Sequence, residues 1–88
     1  MSFLKEYGFD ESEINEFENN TPAKIKEVLN KNSLLVEENM KYIKNLGINT
    51  YKEIFINYPD MFLMDNSNFE EMFSKYETNE LITKLNAN

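Results

Sequence analysis

The chain holds only two glycines, Gly8 and Gly47, and each sits at the same place in a repeated phrase. "FLKEYGFD", residues 3–10, and "YIKNLGIN", residues 42–49, both begin aromatic-aliphatic-Lys. Both then reach the glycine and continue with an apolar residue and Asp or Asn. Aligning the glycines sets Phe3-Leu4-Lys5 against Tyr42-Ile43-Lys44, Tyr7 against Leu46, and Phe9-Asp10 against Ile48-Asn49, an interval of 39 residues. Glycine takes a left-handed backbone at the least steric cost, and helices very commonly end on one. The phrase therefore predicts a helix turned twice in the same way. A fainter third start lies in "FEEMFSKYETNEL", where Met72-Phe73 falls against Tyr42-Ile43 at an interval of 30 and Glu77 replaces the glycine. Intervals of this size belong to helical solenoid repeats.

Helix starts are marked between these corners. Asp10-x-x-Glu13, Thr50-x-x-Glu53 and Ser67-x-x-Glu70 all have the form in which a cap residue and a Glu satisfy each other's backbone N–H groups. Thr21-Pro22 has the cap-then-Pro order of a helix start, and Pro59 ends whatever precedes it. The pattern predicts helices over Ser2–Tyr7, Glu11–Asn19, Pro22–Asn30, Leu34–Leu46, Tyr51–Tyr58, Asn68–Tyr76 and Asn79–Leu85, with a brief turn at Asp60–Met64. The fourth carries Val36, Met40, Ile43 and Leu46 at i, i+4, i+7 and i+10. No segment keeps a period of two. The expected fold is all-α, with short helices stacked as hairpins or triplets in a small right-handed or irregular solenoid-like array. Residues 1–88 form a single domain, with repeat-like units at about 2–32 and 33–66 and a partial unit at 67–88.

"VEENMKYIKNLGINTYKEIFINYPDMFLMD" resembles a motif of the mitochondrial transcription termination factor family. Glu38-Asn39 fits its acidic-Asn helix start, and Tyr42-Ile43 and Leu46-Gly47-Ile48 fit its apolar helix ending in Leu-Gly-apolar. Ile54 fits the second helix, Tyr58-Pro59 the aromatic-Pro pair, and Met61-Phe62-Leu63 the apolar turn that follows. The likeness is close over residues 36–64 and loose over 3–29, where Thr21-Pro22 stands for the aromatic-Pro pair. It implies a curved array of helix triplets. It also implies nucleic-acid binding along a basic groove, as in many members of that family.

Composition points away from catalysis. The chain has no His and no Cys, so the usual neutral-pH base, the commonest metal ligand, thiolate sites and disulfides are all absent. Without His, a Ser or Thr nucleophile lacks its ordinary base, and Ser2, Ser33, Ser67, Thr21 and Thr50 read as caps. Glu37-Glu38 and Glu70-Glu71 are adjacent pairs, and neighbours in sequence do not face each other on a helix. "DNSNFEEMFSKY" has the length of a calcium loop, but Glu70 replaces its glycine and Tyr76 its closing Glu. We expect no enzyme activity, no cofactor and no metal site. No run approaches the roughly 18 apolar residues of a membrane span, and the N-terminus turns acidic at once. The expectation is a chain of the cytoplasm with no membrane contact.

Binding remains, with two kinds of partner. Five Tyr and seven Phe are many for 88 residues, and most fall at helical spacing. Tyr51 lies off the Ile54–Tyr58 stripe, and "MFLM" crowds four large apolar residues. Tyr51, Met61, Phe62 and Met64 are therefore candidates for a patch that binds a protein partner or a second copy. The net charge is −7, unevenly spread: residues 21–52 carry six Lys against three Glu, a net +3. Lys24, Lys26, Lys31, Lys41, Lys44 and Lys52 are candidates for a surface facing an anionic partner, nucleic acid included. The absence of Arg removes the planar fork that grips phosphate, and −7 repels a polyanion at range. A small helical-repeat module for protein–protein interaction is the leading expectation.

Overall fold

The computed structural model describes residues 2–75, and every regular element among them is helical. A 3-10 helix at Ser2–Tyr7 leads into α1 (Glu11–Asn20), α2 (Ala23–Lys31), α3 (Ser33–Asn45) and α4 (Tyr51–Asn57). A second 3-10 helix, Pro59–Leu63, precedes α5 (Asn66–Lys75). The all-α class is as the sequence predicts. The helix expected at Asn79–Leu85 lies outside the described residues, as does most of the partial unit at 67–88.

Both glycines adopt the left-handed conformation, with φ of +87° at Gly8 and +86° at Gly47. Their hydrogen bonds also correspond. The Gly8 N–H donates to Lys5 O at 3.1 Å, and the Phe9 N–H donates to Leu4 O at 3.1 Å. The Gly47 N–H donates to Lys44 O at 3.1 Å, and the Ile48 N–H donates to Ile43 O at 3.3 Å. This crossed pair is the Schellman ending, completed by an apolar contact across the turn. The residues placed to make it, Leu4 with Phe9 and Ile43 with Ile48, are all buried.

The helix starts are more varied than the pattern predicts. Asp10 caps α1 as expected: the Glu13 N–H donates to Asp10 Oδ1 at 2.8 Å, and the Asp10 N–H to Glu13 Oε1 at 2.9 Å. Thr50 does not cap α4. Its ψ of 17° departs from the extended backbone that aims a cap side chain at the helix, and its hydroxyl is buried with no partner. Thr21 likewise does not cap α2; it closes α1 through its backbone N–H, and its hydroxyl is also buried and unpartnered. α5 begins earlier than Ser67, because Asp65 takes the capping role and accepts from the Asn68 N–H at 3.2 Å.

Packing joins elements that stand alike in the sequence, and it also sets α3 and α4 against the second 3-10 helix. α1 lies on α4, the helices that follow the two glycines. α2 lies on the second 3-10 helix, the elements that follow the two prolines. α3 also lies on α5. All seven Phe are buried. Phe55 is fully buried at their centre, stacked on Phe17 at 4.9 Å and edge-on to Phe9 at 5.8 Å and Phe62 at 5.1 Å. Phe62 meets Phe69 at 5.2 Å, and Phe69 meets Phe73 at 4.8 Å, so the rings run continuously from α1 to α5. None of the described tyrosines is fully buried; each keeps its hydroxyl within reach of water or a partner.

Among the described residues the most deeply buried polar side chain is an amide. Asn39, in the middle of α3, is fully buried. Its Nδ2 donates to Phe62 O at 3.0 Å and to Met64 O at 2.9 Å, and its Oδ1 accepts from Asn66 Nδ2 at 2.7 Å. A single amide thereby fixes the end of the second 3-10 helix and the start of α5.

Gly8→Ala and Gly47→Ala should each destabilise by about 1–2 kcal/mol, because the strain is in the backbone. A side chain would meet only ordinary contacts at Gly8 and none at Gly47. Urea unfolding reads this, and Gly47→Asn should lose less than Gly47→Ala. An unchanged midpoint in both alanine variants would contradict the shared corner.

Asn39→Ala should cost about 3 kcal/mol, since it strands two buried carbonyls. Asn39→Asp should be worse at pH 7, where a carboxylate faces those carbonyls. Burial raises the introduced group's folded-state pKa above its unfolded value, so the folded state takes up a proton. Its deficit relative to the parent chain should therefore shrink as pH falls from 7 to 5. Paired unfolding curves at the two pH values test the sign.

Candidate interaction surface

The first glycine corner is covered from within the chain. Tyr51 opens α4, and its hydroxyl donates to the Tyr7 carbonyl. Its ring meets Phe9 edge-on at 6.3 Å. The next residue, Lys52, donates from Nζ to Gly8 O at 2.9 Å and lies 3.7 Å from Glu13 Oε1. A helix C-terminus presents unpaired carbonyls and a negative partial charge, so a hydroxyl and an ammonium are suited to it. Lys44 Nζ stands 5.4 Å above the Tyr7 ring, within cation–π range. Burial first, then the Glu37 carboxylate, pushes the Tyr7 phenol above its ordinary pKa.

The candidate protein-binding patch is therefore divided. Tyr51 is half-buried and committed to the first corner. Phe62 is fully buried between Phe55 and Phe69 and offers no surface, which corrects its place among the patch residues. The reason lies in the 3-10 turn, which points Phe62 inward against α3 and α4. Met61 and Met64 are half-buried against the core, as is Leu63.

The six lysines do not act as one group. Lys26 Nζ lies 3.0 Å from Glu18 Oε2 and also donates to Glu18 O at 3.1 Å. Lys31 pairs with Glu27 at 3.1 Å along α2. These two pairs, with Phe17 and Ala23, line an open groove of about 550 Å³. The groove is thus locally neutral and holds no convergent charge for a small ligand. Lys52 and Lys44 serve the first corner. Lys24 and Lys41 are exposed and make no ion pair with a described residue. Of the acids in the calcium-loop-like segment, Asp65 is spent on capping α5, and no group of three metal-ligating side chains occurs among the described residues.

The surface residues that the pattern missed are apolar. Leu34, which lies off the Val36–Met40–Ile43 stripe, is 71% exposed, and Leu46, which the periodicity places on that stripe, is 49% exposed. Val28, at 39%, lies at the rim of the core that its spacing predicts it to join. Leu34 lies in the first turn of α3 and Leu46 just past its last. Compared with protein-family models, with curated proteins and with solved structures, the chain finds no match.

The second corner differs from the first in having no cover from the described residues. Among the described residues no atom beyond its own neighbours lies within 4 Å of where a side chain on Gly47 would begin. Among the described residues no donor reaches Leu46 O or Gly47 O.

Tyr51→Phe should cost about 1 kcal/mol by removing the donor to Tyr7 O. Tyr42→Phe should change stability by less than about 0.5 kcal/mol, because its hydroxyl stands 3.5 Å from Glu70 O, too far for a normal bond. Equal losses in the two variants, measured by urea unfolding, would remove the special role of Tyr51.

Proposed function

We propose that the chain is a small, non-catalytic helical-repeat module of the cytoplasm that works by binding protein, either a partner chain or a second copy. The observation that carries this reading is exposed apolar surface at the two ends of α3, Leu34 at 71% and Leu46 at 49%. The repeat is supported by like packing on like: α1 on α4, α2 on the second 3-10 helix, α3 on α5. In a stacked array each unit buries its face against the next, so a short array leaves an end that association can cover.

The family likeness bears on this in a limited way. Asn39, Ile43, Ile48, Ile54, Pro59 and Phe62, which carry much of it, are all buried. Such residues serve packing and speak to fold rather than to ligand. Against nucleic acid weighs the spending of charge within the chain. Lys26, Lys31 and Lys52 already face carboxylates, and phosphate neutralisation dominates affinity for nucleic acid. Among the described residues no helix is long and apolar enough to cross a membrane.

The test is a photo-crosslinking amino acid placed at position 34, 46 or 16, the last being an exposed Glu on α1. Covalent protein adducts at 34 or 46 and none at 16 are expected, either between copies in purified protein or with a partner in cells. Equal adducts at all three positions would overturn the reading. So would a strict monomer without adducts. Retention of labelled RNA or DNA at low salt, lost in a combined Lys24→Glu and Lys41→Glu variant, would transfer the function to nucleic acid.

A further inference from the structure

We propose that the pocket between the two proline corners binds a free aliphatic amino acid. The pocket measures about 430 Å³ and lies where the end of α1 and the start of α2 meet the end of α4 and the start of the second 3-10 helix. Its size falls within the roughly 300–1,000 Å³ of small-molecule sites. It stands at the opposite end of α4 from Gly47. Leu34 and Leu46 do not line it, so this site and the protein-binding surface stand or fall separately.

Four features converge there. The first is the start of α2. The Lys26 N–H makes the first intrahelical bond, to Pro22 O at 3.0 Å, so the N–H groups of Ala23, Lys24 and Ile25 have no acceptor within the helix. Pro22, in the cap position, has no side chain that could accept from them. Such a helix end carries a positive partial charge and suits a carboxylate. The second is Thr21, which lines the pocket at only 6% exposure and whose buried hydroxyl has no partner among the described residues. A buried hydroxyl is ordinarily hydrogen-bonded, so one without a partner beside an uncapped helix start marks a place for an acceptor. The third is Asp60, an exposed lining residue that makes no ion pair with a described residue. Its carboxylate repels a simple anion such as phosphate and attracts an ammonium. The fourth is the apolar wall of Pro22, Ile25, Ile56 and Pro59. One ligand chemistry answers all four: a carboxylate for α2 and the Thr21 hydroxyl, an ammonium for Asp60, and an aliphatic side chain for the wall.

The experiment titrates the isotope-labelled full chain with L-leucine, with isocaproate, which lacks the ammonium, and with leucinamide, which lacks the carboxylate. Saturable amide shifts at residues 21, 23–25 and 60 are expected with leucine, and each analogue should bind about tenfold more weakly. Asp60→Asn should weaken leucine about tenfold and leave isocaproate at its parental affinity or above. Thr21→Val should also weaken leucine, by about fivefold, while its urea midpoint stays at or above that of the parent, because the hydroxyl removed has no partner in the free chain. That midpoint separates lost binding from lost folding. Absence of shifts at those amides overturns the proposal, whatever else fills the pocket. So do equal affinities for leucine and both analogues, or unchanged leucine binding in Asp60→Asn and Thr21→Val. Inorganic phosphate binding at the same amides more tightly than leucine overturns it as well, since Asp60 then does not set the charge of the ligand. Leucine binding with no crosslinks at positions 34 and 46 removes the protein-binding reading alone.

Discussion

The Phe55 ring is in contact with Phe9, Phe17 and Phe62, and through Phe62 with Phe69 and Phe73. Burying a ring of this size and truncating it to Ala costs about 3–5 kcal/mol in a typical core. A whole small domain holds only about 5–15 kcal/mol. The elements that meet at this ring therefore cannot move independently. α4 is the shortest of the α-helices among the described residues, yet Ile54, Phe55 and Ile56 are buried in succession, so it is covered on more than one side. It works as a central wedge rather than as a surface helix.

Two kinds of polar contact hold the remaining backbone to that wedge. At the first corner, Tyr51 and Lys52 bind the carbonyls that a left-handed helix ending leaves over. In the core, Asn39 uses both its donors and its acceptor on the turn that precedes α5. The two contacts differ in environment. The lysine at the corner keeps access to water, so its loss is cushioned by solvent. Asn39 has no such access, and any group left unpaired there bears its full desolvation cost. The exposed ion pairs, Lys26 with Glu18 and Lys31 with Glu27, add little to stability. Their effect is on charge, since they lower what α2 can offer an anionic partner.

Much of this was legible in the residues. The glycine phrase marked both helix endings, because no other residue takes positive φ so easily. Asp10-x-x-Glu13 marked the start of α1 because both halves of that exchange are local. Thr50 and Ser67 failed under the same rule, since tertiary packing set the backbone at Thr50 and Asp65 displaced Ser67. Asn39 entered the sequence reading only through the family likeness, because its partners lie 23 to 27 residues away and leave no periodic mark. The patch residues fared in the same way: "MFLM" announced crowding, but only the turn geometry chose Phe62 for the interior and left Met61 and Met64 half-covered.

By itself the sequence determined that this protein is helical, where its helices turn, and that it carries neither His nor Cys. These follow from backbone sterics, local hydrogen bonding and composition, none of which needs distant contacts. The tertiary structure alone decided that Tyr51 and Lys52 cover the first corner. It also decided which lysines are spent on neighbouring carboxylates and which leucines at the ends of α3 face water. Apart from the Lys31–Glu27 pair, which lies four residues apart on one helix, those outcomes depend on segments 8 to 44 residues apart meeting in space, and the sequence carries no local term for such meetings.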